Sequence, residues 1–189
     1  MTRKKLEHTE LMQATEKLLL EQGYGGFNFS ALSTLLKIGR STLYEYYASK
    51  DELIATYMDD LMDHYMDDLA KIVARKDAKE KLVLLIELMI TYAHIHGIIK
   101  MIPLLQNESK KVQQVKKTFV EDHLLIIEQI RTIIEDGKRE NVIREEIPTD
   151  ILVNMLFQTI NKPELLPMDN EAWAQWIWEI IYVGIGPQQ

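Results

Sequence analysis

Apolar and polar side chains recur at the helical period along the whole chain. Leu11, Ala14, Leu18 and Leu19 form one stripe, which predicts a helix over about 6–21 with Gly23 as its stop. Gly23-Tyr24-Gly25-Gly26 reads as a loop. Asn28 or Ser30 can cap a second helix ending at Leu36, Lys37-Ile38-Gly39 is a turn, and a third short helix covers 40–46. Ser49-Lys50-Asp51-Glu52 is a capping box, in which the serine oxygen accepts from an amide of the first turn while Glu52 reaches back. The helix it opens runs to about Arg75, with Leu53, Tyr57, Leu61, Tyr65 and Leu69 at helical spacing. Further helices are expected over about 78–95, 110–138, 148–161 and 170–183, with breaks at Gly97, Pro103, Pro163 and Pro167. No segment alternates with period two between turn signals, so the fold class is all-α.

Two short helices joined by a three-residue turn, the second rich in small and polar side chains, describe a helix-turn-helix. Leu32, Leu35, Ile38, Leu43 and Tyr47 are expected to face inward. Arg40, Ser41 and Thr42 leave the start of the third helix narrow enough for a DNA major groove. Charge agrees with this division. Of 22 Lys/Arg and 29 Asp/Glu, the first fifty residues hold 7 and 5, leaving 15 and 24 for the rest. A basic head suits phosphate, and an acidic body does not. The absence of cysteine excludes disulfides and thiolate metal sites. Met1–His8 is charged and meets no uninterrupted apolar run, and the stretch from Leu82 to Ile90 is too short to span a bilayer, so a soluble cytoplasmic protein is expected.

Residues from about Leu11 to Leu53 resemble the DNA-binding head of the TetR family of transcriptional regulators. The resemblance rests on Ala14, Leu18, Gly23-Tyr24, Phe29, Leu32 and the run Ser41-Thr-Leu-Tyr-Glu-Tyr-Tyr-Ala-Ser-Lys-Asp-Glu-Leu53. It covers about the first quarter of the chain. It implies a homodimeric, ligand-responsive regulator, usually a repressor, on a near-palindromic operator; neither enzymatic activity nor a cofactor is expected. Carried over residue by residue, it implies phosphate contacts from Tyr44 and Lys50. Arg40, Ser41, Thr42 and Tyr46 would face bases or backbone in the groove, and Ser30 would contact the backbone. Lys37 stands where the family usually has glycine, so either Gly39 has taken over the left-handed role or the turn differs, and Lys37 can add a phosphate contact. Glu45 either lies along the protein surface or accepts from a cytosine amine.

The division expected is a helix-turn-helix domain over 1–50 and a helical ligand-binding and dimerisation domain over 51–189. Glu87, Thr91 and His94 lie near one face of the fifth helix, and Met101, Phe119, His123, Met155 and Gln158 are candidates to join them around a small-molecule effector. The alternative is that these are a solvent-facing stripe and core filler. In the last helix Trp173, Trp176, Ile177, Ile180 and Ile181 lie on one broad apolar face, while Trp178, Tyr182 and Ile185 make another. A surface helix needs one apolar stripe, so a second face calls for a partner subunit, and the expected interface is Trp173, Trp176, Ile177 and Ile180 joined by Ile151 and Met155 of the preceding helix.

Other chemistry is weaker. Asp60, His64 and Asp68 share a helix face, which reads as a solvated acidic surface before a metal site. His94 and His96 point apart on a helix, and no metallohydrolase, P-loop, dinucleotide-binding or nucleophile-elbow motif occurs. A dimeric helical protein-interaction module with incidental DNA contact is the alternative of a different class.

Overall fold

The computed structural model describes residues 6–93, 96–106, 109–159 and 168–185. Among them lie the helices α1 (His8–Gly26), α2 (Phe29–Leu36), α3 (Arg40–Tyr46), α4 (Lys50–Val73), α5 (Ala78–Thr91), α6 (His96–Ile99), α7 (Lys110–Arg139), α8 (Thr149–Thr159) and α9 (Asn170–Ile185). A 3-10 turn covers Ile102–Leu104, and the described residues contain no strand. The expected ends of the fifth helix near residue 95 and of the eighth near 161, with Pro163 and Pro167, lie outside the described residues. The α6 segment and the 3-10 turn that follows it were not anticipated.

Local chemistry explains the boundaries. Gly23 has φ +63°, so it kinks α1 where a stop was expected, and one more turn carries the helix to Gly26. Asn28, not Ser30, caps α2, its Oδ1 accepting from the Ala31 amide at 2.9 Å. α2 ends in a Schellman arrangement, with Ile38 N–H donating to Ser33 O at 3.0 Å and Lys37 N–H to Thr34 O at 3.3 Å. Lys37 itself takes the left-handed conformation (φ 54°, ψ 44°), whereas Gly39 is extended at φ −73°. The glycine therefore does not take over the strained position. The capping box forms as read: the Glu52 amide donates to Ser49 Oγ at 3.2 Å, and the Glu52 carboxylate reaches back to the Ala48 amide at 3.1 Å. Asp77 caps α5 by accepting from the Glu80 amide.

The chain folds as two compact units, one of residues 1–62 and 95–120, the other of 63–94 and 121–189. In the first, Leu19, Leu32, Leu43, Leu53, Ile54 and Ile98 are buried to zero exposure in a single core. Ile102, Leu105, Val112 and Val115 belong to that same core, so the segment around the 3-10 turn packs with the helix-turn-helix. Leu35, expected inside, is exposed.

In the second unit α5 packs on α9, and Leu82, Ile86, Ile134, Leu156, Trp178 and Ile181 enclose a seam with only about 10 Å³ of free space, enough for at most one water. A nearly buried ion pair, Lys81 to Asp136 at 2.6 Å, joins α5 to the end of α7, and Arg139 also pairs with Asp136. α7 ends in a second Schellman arrangement with Asn141 in the left-handed position (φ 56°). No described helix is long and apolar enough to cross a membrane.

Candidate nucleic-acid interface

Helix α3 is seven residues long and splits cleanly between core and surface. Leu43 is wholly buried and Tyr47 partly so, which pins the helix to α1 and α2. Arg40, Ser41, Tyr44, Glu45 and Tyr46 are exposed, Tyr46 at 59% of its full surface. An aromatic side chain left this far in solvent has not been placed there by burial. Thr42 is only 8% exposed, so it sits on the inner flank beside Leu43 and not on the outward face with Ser41. Tyr44 is oriented by an edge-on contact with Phe29, ring centres 5.0 Å apart.

A shallow groove of about 300 Å³ runs between the start of α2, the face of α3 and the start of α4. Ser30, Arg40, Tyr44 and Lys50 all line it, so the structure gathers four of the eight expected contact residues around one depression. Asn28, Phe29, Ala48 and Ser49 complete it. These four were not singled out as contacts, although Asn28 and Ser49 had been read as helix caps. Lys37 and Ser41 are exposed outside the groove lining. The groove pairs a guanidinium with hydroxyls and helix starts, the chemistry that receives a phosphate diester.

Lys50 has local partners. Its Nζ donates to Tyr24 O at 2.9 Å and to Phe27 O at 3.4 Å, and lies 4.1 Å from the centre of the Tyr24 ring. Next to it Asp51, buried, accepts from the Tyr24 hydroxyl at 2.9 Å and from the Gln106 amide at 3.0 Å. Burial, reinforced by the Asp51 carboxylate, raises the Tyr24 phenol above its ordinary range. Nothing in the sequence spacing signals this group, whose hydrogen-bonded partners are 23 to 55 residues apart.

The expected effector residues are dispersed. Met101 and Phe119 pack against the core of the first unit. In the second unit Met155 lines the tight apolar seam, whereas Glu87, Thr91, His123 and Gln158 are exposed. The His123 ring faces Phe157, centre to centre 6.3 Å. His94 lies outside the described residues. A separate groove of about 320 Å³ in this unit is lined by Met66, Leu69, Ala70, Val73, Ala74, Leu125 and Gln129. Of the expected interface residues, Ile151, Trp176 and Ile180 are strongly exposed, Trp173 and Met155 are half-buried, and Ile177 is buried within the chain. The described residues contain no group of three or more histidine, aspartate or glutamate side chains arranged to hold a metal; on α4, Asp60 meets His8 and Asp68 meets Lys71 and Tyr92.

Among the described residues, fold and site together define an all-helical protein with an N-terminal helix-turn-helix domain. Residues 11–57 match the family described as bacterial regulatory proteins, tetR family. Through this segment the chain is similar to that family of regulators. Solved structures share the fold, among them these three. The ketosteroid transcriptional regulator KstR2 of Mycobacterium tuberculosis superposes with a TM-score of 0.77 at 15% identity over 100% of both chains. FadR from Bacillus subtilis, in complex with stearoyl-CoA, gives 0.65 at 19% identity over 95% of this chain and 100% of its own. AibR, in complex with isovaleryl coenzyme A and operator DNA, gives 0.70 at 11% identity over 91% and 96%. No curated protein matches the chain in sequence.

Proposed function

We propose that the protein is a ligand-responsive repressor that binds a near-palindromic operator as a homodimer in the cytoplasm. The observation that carries this reading is α3, whose Arg40, Ser41, Tyr44 and Tyr46 stand exposed beside the groove of Ser30 and Arg40 while Leu43 locks the helix from behind. Tyr44, Ser30 and Arg40 hold phosphates. Ser41 and Tyr46 meet base edges, and Lys37 adds a phosphate contact from the turn. The functional division is a DNA-binding head over 1–50 and an effector and dimer body over 51–189.

Dimerisation is supported by an apolar stripe that α9 leaves uncovered. Trp176, Ile180 and Val183 are exposed at 57%, 68% and 82%, although Ile177, Trp178, Ile181 and Ile185 of the same helix are buried. Ile151 of α8 is likewise exposed. Two copies related by a two-fold axis cover such a stripe with itself, and the same symmetry places two recognition helices on successive half-sites. The effector is an elongated apolar molecule such as an acyl group. The groove of Met66, Leu69, Val73 and Leu125 is of ligand size and offers Gln129 as its one amide. The acyl-CoA complexes of FadR and AibR support that class. The effector shifts the balance between DNA-fitting and non-fitting states only by its preference for one of them.

The test is binding of the purified protein to DNA upstream of its own gene, followed by selection from random duplexes. Protection of a palindrome, with an affinity that falls as salt rises, is expected. Failure to bind in both formats sinks the DNA reading and promotes a protein-partner role.

A further inference from the structure

Two consecutive residues at the start of α4 hold one side chain on α1. Lys50 takes the Tyr24 carbonyl and covers its ring, and Asp51 takes the hydroxyl at the far end of that ring. Asp51 also accepts from the backbone amide of Gln106. The carbonyl on the other side of that same peptide unit, Leu105 O, accepts from Lys116 Nζ at 2.7 Å. The Leu105–Gln106 peptide is therefore gripped at both poles, and one of the grips is the carboxylate that holds Tyr24.

We propose that Lys50, Asp51 and Tyr24 form a clasp that sets the position of the recognition helix, with Lys50 acting as a positioning residue and not as a phosphate contact. The inference rests on the DNA-binding reading above. Its physical basis is the ammonium's occupation. Two of its three N–H groups are directed at main-chain carbonyls at the C-terminal end of α1, where a cation offsets the negative end of the helix. Swinging Lys50 out to a phosphate would leave those carbonyls without it and uncover the Tyr24 ring. The clasp acts on DNA binding through connectivity. α3 ends at Tyr46 and α4 begins at Lys50, so fixing the first residues of α4 fixes the end of α3 four residues earlier. A displacement of the Leu105–Gln106 peptide is passed to the same point through Asp51.

The experiment compares wild type, Lys50→Met, Tyr24→Phe and the double variant on one duplex recovered by selection with the wild type, across a salt series. Lys50→Met should weaken binding about tenfold, the scale of losing hydrogen bonds from a charged group, with the slope of affinity against salt unchanged. Tyr24→Phe should weaken it in the same direction, and the double variant by less than the product of the two. A Lys50→Met slope shallower by about 0.9, the mark of one lost phosphate contact, overturns the proposal, as does wild-type affinity in that variant. Amide exchange tests the clasp without DNA. The Gln106 amide should be protected in the full-length protein and lose that protection in Asp51→Ala, while the amides of α9 keep theirs. Unchanged Gln106 protection overturns the clasp. If the wild type selects no duplex, the DNA reading fails and the exchange result alone decides the clasp.

Discussion

Replacing Lys37 separates backbone strain from charge. The residue occupies φ 54° and ψ 44°, a region in which a side chain bearing Cβ costs about 1–2 kcal/mol. Glycine removes that cost but adds about 0.5–1 kcal/mol of chain entropy in the unfolded state. Lys37→Gly should therefore be more stable than Lys37→Ala by about 0.5–1 kcal/mol, because alanine keeps the strain and loses the same charge. The two Schellman bonds, Ile38 to Ser33 and Lys37 to Thr34, use only backbone atoms and survive in both variants. Urea unfolding followed by circular dichroism reads the difference as a midpoint higher by about 0.3–0.5 M for glycine, taking a slope of about 2 kcal/mol per molar. The salt dependence of DNA binding should behave otherwise. If Lys37 holds a phosphate, both variants lose about 0.9 from the slope, equally. A glycine variant that melts at or below the alanine variant would refute the strain argument. Slopes that differ between the two would show that the backbone, and not the ammonium, governs the contact.

Other consequences are open to direct measurement. Asp136→Asn strands Lys81 as a nearly buried cation and should cost about 3–5 kcal/mol, whereas Lys81→Met leaves Asp136 with Arg139 and should cost clearly less; equal losses in chemical denaturation would contradict this. Burial raises the phenols of Tyr24, Tyr47, Tyr57, Tyr65 and Tyr92, that of Tyr92 to about 12 with Asp68 adding to the effect. A raised folded value means stability that is whole below the ordinary phenol range and drains away as pH climbs from about 10 through about 12, so the folded protein should show a lag in tyrosinate absorbance that unfolding abolishes. Ile180→Glu places a carboxylate on the exposed stripe of α9; it should leave the melting of the fold nearly unchanged and raise the dimer dissociation constant about 100-fold or more, and a variant that sediments like the wild type argues that the stripe is not the interface.

What the sequence disclosed follows the range of the interactions involved. The bounds of α3 were legible because a turn, a capping box and a stripe all lie between residues 37 and 52. The capping pair Ser49 and Glu52 and the cap Asn28 are of the same kind. The grip on Tyr24 was invisible, since Asp51 and Gln106 become neighbours only when the segment after α6 folds onto the head. That segment itself was taken for a break because Gly97 and Pro103 punctuate it, yet Ile98, Ile102 and Leu105 anchor it in the core. Gly137 lies two residues before the end of α7. It stays helical because its bare Cα admits Ile143 and Leu82, whose methyl carbons would lie 2.9 Å and 3.2 Å from an added Cβ, and Asn141 makes the turn instead. Thr42 was placed on the outer face by its neighbours in sequence, whereas it shares the buried flank of Leu43.

The shared core around Leu32, Leu43 and Ile98 bears on how such a reader of DNA can be moved between proteins. A fragment cut at residue 50 would leave behind Leu53, Ile54, Tyr57 and Met58, and with them Ile98, Ile102, Leu105, Val112 and Val115. It would present the inner sides of α1 to α3 to water. Grafting this operator specificity onto another scaffold therefore requires carrying two separate stretches of chain, or rebuilding the receiving side of the recipient to match. For a designer of chimaeric regulators, the transferable module is a surface defined in space, with its seams near residues 62, 95 and 120.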